Sequence, residues 1–156
     1  MLMDTGSHLL DVVLFATGLS VDRVMAYSSN FGAPVDINTA ILMQFNRECI
    51  GNISIVGHAA KPVVDSIHIF GDEGSLLFES GTDTNRCRAQ LTQESYDTGA
   101  VDIPGLPASS SPDANFIDAI LGRDDVKSPG EAGLEVIRLT EAIKESIRLG
   151  RQIPVA

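Results

Sequence analysis

The chain has 156 residues, 44% of them hydrophobic and 21% charged, with no Trp, which fits one globular domain with an aliphatic core. Its formal net charge of −10, from 21 acidic and 11 basic residues, repels a phosphate backbone, and no basic cluster larger than Arg86 with Arg88 offsets it, so nucleic acid is excluded as a partner. No apolar run reaches the ~20 residues that cross a bilayer, and the N-terminus lacks the basic and long apolar regions of a signal peptide, so a cytoplasmic protein with no membrane attachment is expected.

The first element is a helix. Residues Thr5 to Thr17 have Asp4 or Thr5 available as N-cap and Gly18 as C-cap. Leu9 to Ala16 is apolar nearly all round, which predicts a helix buried under other elements. Strand patterns follow at Val21–Ser29, Asp36–Phe45 and Ile50–Ala59. The last two are joined by the polar NREC and read as a hairpin. A second hairpin is predicted from Ser66–Phe70 and Ser75–Glu79 about the turn GDEG. Arg86–Leu91 adds an expected edge strand.

The stretch DTGAVDIPGLPASSS, Asp97 to Ser111, has no periodicity and reads as a loop. Pro112–Leu121 restores helical spacing, with Phe116, Ile117 and Ile120 on one side. Glu131–Leu149 is the strongest helix, with a stripe of Leu134, Ile137, Ala142, Ile143 and Ile147 and with Gly150 to end it. Gln152–Val155 is expected to dock as a short terminal segment.

One helix, five or six hairpin-linked strands and two helices predict an α+β domain with a mostly antiparallel open sheet. In Ile37–Phe45 both phases carry apolar side chains, and Ile50–Val56 repeats the pattern. Three helices cover one face, so the other face is expected to bind a second copy of the chain.

Glycines two apart are absent, so no GxGxxG dinucleotide fingerprint exists, and there is no P-loop, CxxC, HExxH or GxSxG. Cys49 and Cys87, both placed in strand-like segments, have no metal-type spacing and fit free thiols in a reducing compartment, with a single disulfide between them as the alternative. What remains is Asp4 and His8, four apart. On one helix face, the carboxylate orients the imidazole and raises its pKa, and the imidazole accepts a proton from a hydroxyl. By spacing alone, a helix cap beside an incidental histidine is the favoured reading, since such pairs are common on ordinary helices. His58, beside Gly57 at a strand end, is a candidate substrate contact. His68 alternates with Ile67 and Ile69 and reads as a half-exposed strand residue. Asp4, His8 and His58 are not expected to converge on a metal.

MDTGSHLLDVVLFATG resembles the segment D-x-G-x-H-x-x-D-x-x-x-x-x-x-G that opens the second domain of the Gfo/Idh/MocA oxidoreductases, the relatives of glucose–fructose oxidoreductase and inositol dehydrogenase. The resemblance continues through DINTAILMQF, GNISI and IHIFGDEGSLLFE, and closes with NFIDAILGR and PGEAGLEVIRLTEAIKESIRLGRQIPV. It spans nearly the whole chain in the family's order.

This resemblance implies the C-terminal α+β domain of an NAD(P)-dependent oxidoreductase acting on a sugar, inositol or related polyol. It implies His8 and Asp4 as catalytic residues, Asp11 as a structural or orienting partner, and an open sheet used for oligomerisation. The N-terminal Rossmann domain, which binds NAD or NADP and carries the family's Glu-Lys-Pro lysine, has no counterpart in these residues. Ala60-Lys61-Pro62 looks similar but follows a strand of the second domain and lacks the Glu. The expectation is therefore an isolated C-terminal domain that neither holds the cofactor nor turns over substrate by itself. The alternative is a stand-alone binding or dimerisation domain with no chemistry.

Overall fold

The computed structural model describes residues 1–59, 65–80, 85–91, 95–98 and 111–156, with the strands at 85–91 and 95–98 followed as backbone. The chain forms two compact units, Met1–His58 with Asn115–Ala156, and Ala59–Ala114.

In the first unit a π-helical turn, Leu2–Gly6, runs into α1, Ser7–Thr17. Gly18 ends α1 in the left-handed conformation at φ 62°, its N–H donating to the Leu14 carbonyl. Three strands follow, β1 (Val21–Ser29), β2 (Asn38–Phe45) and β3 (Ile50–Val56). Each pairs antiparallel with the next, Ala26 opposite Ile41 and Ile41 opposite Ile53.

The second unit holds β4 (Asp65–Phe70), β5 (Gly74–Ser80), β6 (Asn85–Leu91) and β7 (Ser95–Thr98), which make a second antiparallel sheet in that order. The expected edge strand at Arg86–Leu91 is internal, because β7 pairs with its free side. β7 lies across the start of the segment expected to be loop. The rest of that segment, 99–110, and Lys61-Pro62 lie outside the described residues.

The remaining helices are α2 (Pro112–Ile120) and α3 (Gly130–Leu149), followed by β8 (Ile153–Pro154). The expected docking of Gln152–Val155 takes the form of β8 pairing with β1, which completes a sheet of order β3-β2-β1-β8. The α+β, antiparallel class holds, with the strands divided between two sheets of four.

The core of the first unit is the inward phase of its sheet against α3 and α1. Val24, Ala26, Ile41, Met43, Phe45, Ile53, Ile55 and Ile153 meet Leu2, Leu10, Val136, Leu139, Ala142 and Ile143. β2 alternates cleanly, with Thr39, Ile41, Met43 and Phe45 buried and Ala40, Leu42 and Gln44 exposed. The outward phase is mixed. Met25, Leu42 and Asn52 lie side by side, as do Tyr27, Ala40 and Ser54.

Three expectations about the helices are corrected. The helix α1 is not buried all round: Leu10 is its only fully buried residue, while Val12 and Phe15 are exposed. In α3 the buried line runs through Val136, Leu139, Thr140, Ile143 and Ser146, and Leu134 and Ile137 are about half exposed. The hydroxyls make that line possible. Thr140 Oγ1 donates to the Val136 carbonyl at 2.7 Å, and Ser146 Oγ donates to the Arg151 carbonyl at 2.7 Å, so neither polar group enters the core unpaired. In α2 it is Asn115 that is buried, while Phe116, Ile117 and Ile120 face outward. The Asn115 amide explains its place: it donates to Asp124 and to the Asp125 carbonyl, and it accepts from the Lys127 N–H.

Cys49 is a free, exposed thiol, and it sits in the turn before β3, not inside a strand.

Candidate functional site

The site begins with the first ten residues. Leu2, Gly6 and Leu10 are buried and lie four apart, forming the line on which the helical segment rests. Gly6 is where the backbone comes closest to the sheet: a Cβ there would stand 2.7 Å from Ile55 Cδ1. Asp4 and His8, interleaved with this line, are exposed on the opposite side, and Asp11 is partly covered.

Asp4 sits within the π-helical turn and is not an N-cap. Two backbone donors converge on the Met1 carbonyl, Asp4 N at 3.1 Å and Gly6 N at 3.0 Å. The Ser7 hydroxyl donates to the Asp4 carbonyl at 2.7 Å, satisfying an acceptor that the widened turn leaves over. A turn closed at i+5 advances each residue by less than the ~100° of an α-helix, which brings residues four apart nearer to a single line along the axis. Asp4 and His8 thus project from one face. Among the described residues no hydrogen bond or ion pair engages either side chain, so both are available to a ligand.

Asp36, which sequence reasoning passed over, holds this turn from the β1–β2 loop. Its Oδ2 accepts from the Leu2 N–H at 2.8 Å and from Thr39 Oγ1 at 3.0 Å. The Met1 nitrogen donates to its Oδ1 at 3.2 Å and to its carbonyl at 3.0 Å. Burial pushes the carboxyl up, but the bonds from Leu2, Thr39 and the Met1 nitrogen outweigh it and hold its pKa below the ordinary 3.8. The only local signal was Asp36 with Thr39, a spacing common at turns and strand starts. Nothing in it points to a residue 34 positions upstream.

His58 follows Gly57 just past β3 and is exposed. Its ring lies 6.0 Å from that of Phe31 at a 40° tilt. A Cβ on Gly57 would stand 2.7 Å from both the Ile37 carbonyl oxygen and Met1 Cγ, so the glycine is what lets the first turn approach β3. Among the described residues no three His, Cys, Asp or Glu side chains are grouped to hold a metal, so Asp4, His8 and His58 do not converge. A cavity of about 230 Å³ lined by Leu14, Asp22, Glu135, Arg138 and Val155 opens toward the other end of α1 and includes none of these residues. His68, in β4, is exposed and meets the Phe70 ring edge-on at 5.8 Å. No helix among the described residues is long and apolar enough to cross a membrane.

Residues 1–77 match the family model described as the GFO/IDH/MocA C-terminal domain. No curated protein matches the sequence. Among solved structures, the aldose-aldose oxidoreductase of Caulobacter crescentus, crystallised with glycerol, is similar over 98% of this chain and 47% of its own, at 20% identity and a TM-score of 0.81. Levoglucosan dehydrogenase in complex with NADH and levoglucosan is similar over 97% of this chain and 49% of its own, at 18% identity and a TM-score of 0.76. An NAD-binding protein from Listeria innocua is similar over 99% and 47%, at 24% identity and a TM-score of 0.73. At these identities the likeness is one of fold, and the chain spans about half the length of each of these proteins. The first 77 residues are thus similar by sequence to the GFO/IDH/MocA C-terminal domain, and nearly the whole chain shares the fold of these oxidoreductase structures.

Proposed function

We propose that this chain is the substrate-side domain of an NAD(P)-dependent oxidoreductase acting on a sugar, inositol or related polyol, with His8 as the proton acceptor and Asp4 as its orienting carboxylate. The observation that carries this reading is the placement of Asp4 and His8. Both are unengaged and exposed on one face of the first helical segment, inside the residues that match the family. An imidazole there accepts the proton from a substrate hydroxyl, and a carboxylate one turn away stabilises the imidazolium that forms.

The described residues contain no strand–glycine-turn–helix cradle, and this reading assigns the dinucleotide to a second domain. A nicotinamide cofactor, when bound by a second domain, supplies the hydride acceptor for the carbon whose hydroxyl His8 deprotonates. Val12 and Phe15, bare on the same helix, are the surface against which such a domain would seat. His58 stands as a substrate contact on this reading.

The test is a His8→Ala substitution in the intact native protein, assayed with myo-inositol and glucose and either nicotinamide cofactor. Loss of a general base lowers kcat by about 10²- to 10⁴-fold. An undiminished kcat removes His8 from the mechanism. Calorimetry of NADH with the 156-residue chain alone is expected to show no binding, and micromolar affinity there would overturn the division of labour.

Self-association belongs to the same reading. The outward phase of the first sheet, with Tyr27, Leu42 and Val56 exposed and Arg23 its only charge, is a surface of the kind that pairs with a second copy. Leu42→Arg is expected to shift an oligomer to monomer in light scattering, and a native chain that is monomeric at high concentration speaks against it.

A further inference from the structure

We propose that Asp36 is a positioning residue for the Asp4–His8 face: its carboxylate ties the first helical turn to β2, through Leu2 N on one side and Thr39 Oγ1 on the other. This inference rests on the reading of His8 as proton acceptor.

The argument is geometric. The first turn has no side-chain cap of its own, because the Met1 side chain carries no oxygen. Its early N–H groups need an acceptor, and Asp36 supplies one from a distant loop at 2.8 Å. The same oxygen is anchored by Thr39, which is 2% exposed at the start of β2, so the tie ends in the sheet and not in a mobile side chain. Two more contacts fix the same turn. Gly57 admits Met1, and Gly6 rests against Ile55.

Asp4 lies between Leu2 and Gly6, both held, and His8 follows one turn later. Of these restraints only Asp36 is polar and directional. It therefore sets the rotation of the turn about its axis, where apolar contacts set mainly its depth. Rotation decides where Asp4 and His8 point, and a displacement near 1 Å at a reacting group costs about 10²-fold in rate.

The experiment compares Asp36→Ala, Asp36→Asn and Thr39→Val. In the 156-residue chain, amide hydrogen exchange followed by NMR is expected to speed up about tenfold at Asp4 and Gly6 in Asp36→Ala, with Ile41 and Ile143 unchanged. Asp36→Asn keeps an oxygen acceptor and is expected to restore most of the protection, and Thr39→Val is expected to fall between. Unchanged exchange at Asp4 and Gly6 overturns the inference.

In the intact native protein, Asp36→Ala is expected to lower kcat about tenfold with KM changed less than about twofold, and Asp36→Asn is expected to recover it. If His8→Ala is slow while Asp36→Ala keeps full kcat, the positioning role fails and the reading of His8 survives. If His8→Ala keeps full kcat, the reading of His8 fails first and takes the catalytic part of this inference with it. Should Asp36→Ala not fold, the same readouts on Thr39→Val decide.

Discussion

Ser146 Oγ, near the end of α3, accepts a hydrogen bond of 3.0 Å from the backbone N–H of Ala26 in β1. β8 pairs only with Arg23 and Val24, so Ala26 lies beyond its reach and its N–H needs another partner. The same hydroxyl donates to the Arg151 carbonyl, which couples helix, strand and the turn after the helix through one oxygen. Ser146→Ala leaves a buried donor and an acceptor unmet, at a cost of about 1–3 kcal/mol. Urea denaturation is expected to show a lower midpoint with an unchanged slope.

The β2–β3 turn places Arg47 and Glu48 at φ 59° and 61°, both in the left-handed region. Such two-residue turns favour Asn-Gly, and an L side chain at that φ costs about 1–2 kcal/mol. Glycine returns part of the gain through its freer unfolded chain. Glu48→Gly is thus expected to stabilise the protein by about 0.5–1 kcal/mol, read as a higher Tm in calorimetry.

Asp36 gives a pH signature. Its folded pKa lies below 3.8, held down by Leu2, Thr39 and the Met1 nitrogen against the upward push of burial. A depressed carboxylate contributes its stability fully above the unfolded value and loses it as pH falls through the folded value. The stability gap between the native chain and Asp36→Asn is therefore expected to be constant above about pH 5 and to narrow below about pH 4. A gap that stays constant through that range would show that the carboxylate charge plays no part.

His8 is exposed and makes no polar contact among the described residues. Its replacement by Ala is expected to change folding stability by less than about 0.5 kcal/mol, measured by denaturant midpoint. A large loss would mean that the histidine supports the fold, and that a drop in activity says nothing of proton transfer.

Much of this was legible from local pattern. The strands of the first unit and the span of α3 are where alternation and helical periodicity put them, because those signals are local. The inward face of α3 was not, since its buried line contains Thr140 and Ser146. Their polarity is offset by hydrogen bonds that no spacing reveals. The apolar run in α1 suggested burial, but the helix rests on Leu2, Gly6 and Leu10 and leaves Phe15 76% exposed. The Asp4 and His8 face was visible as a spacing, and Asp36 was not, because its contact to Leu2 depends on how the β1–β2 loop folds back. The division of strands between two sheets likewise depends on long-range pairing.

Pro154 lies in β8, opposite Arg23, and that strand is only two residues long. A full-length edge strand exposes a ladder of unmet N–H and C=O groups that invites a foreign strand to join. Here the outermost rung is short, and one of its residues has no N–H to give. The β8 margin is thereby blunted against strand-by-strand growth, a safeguard against aggregation built into the last few residues of the fold.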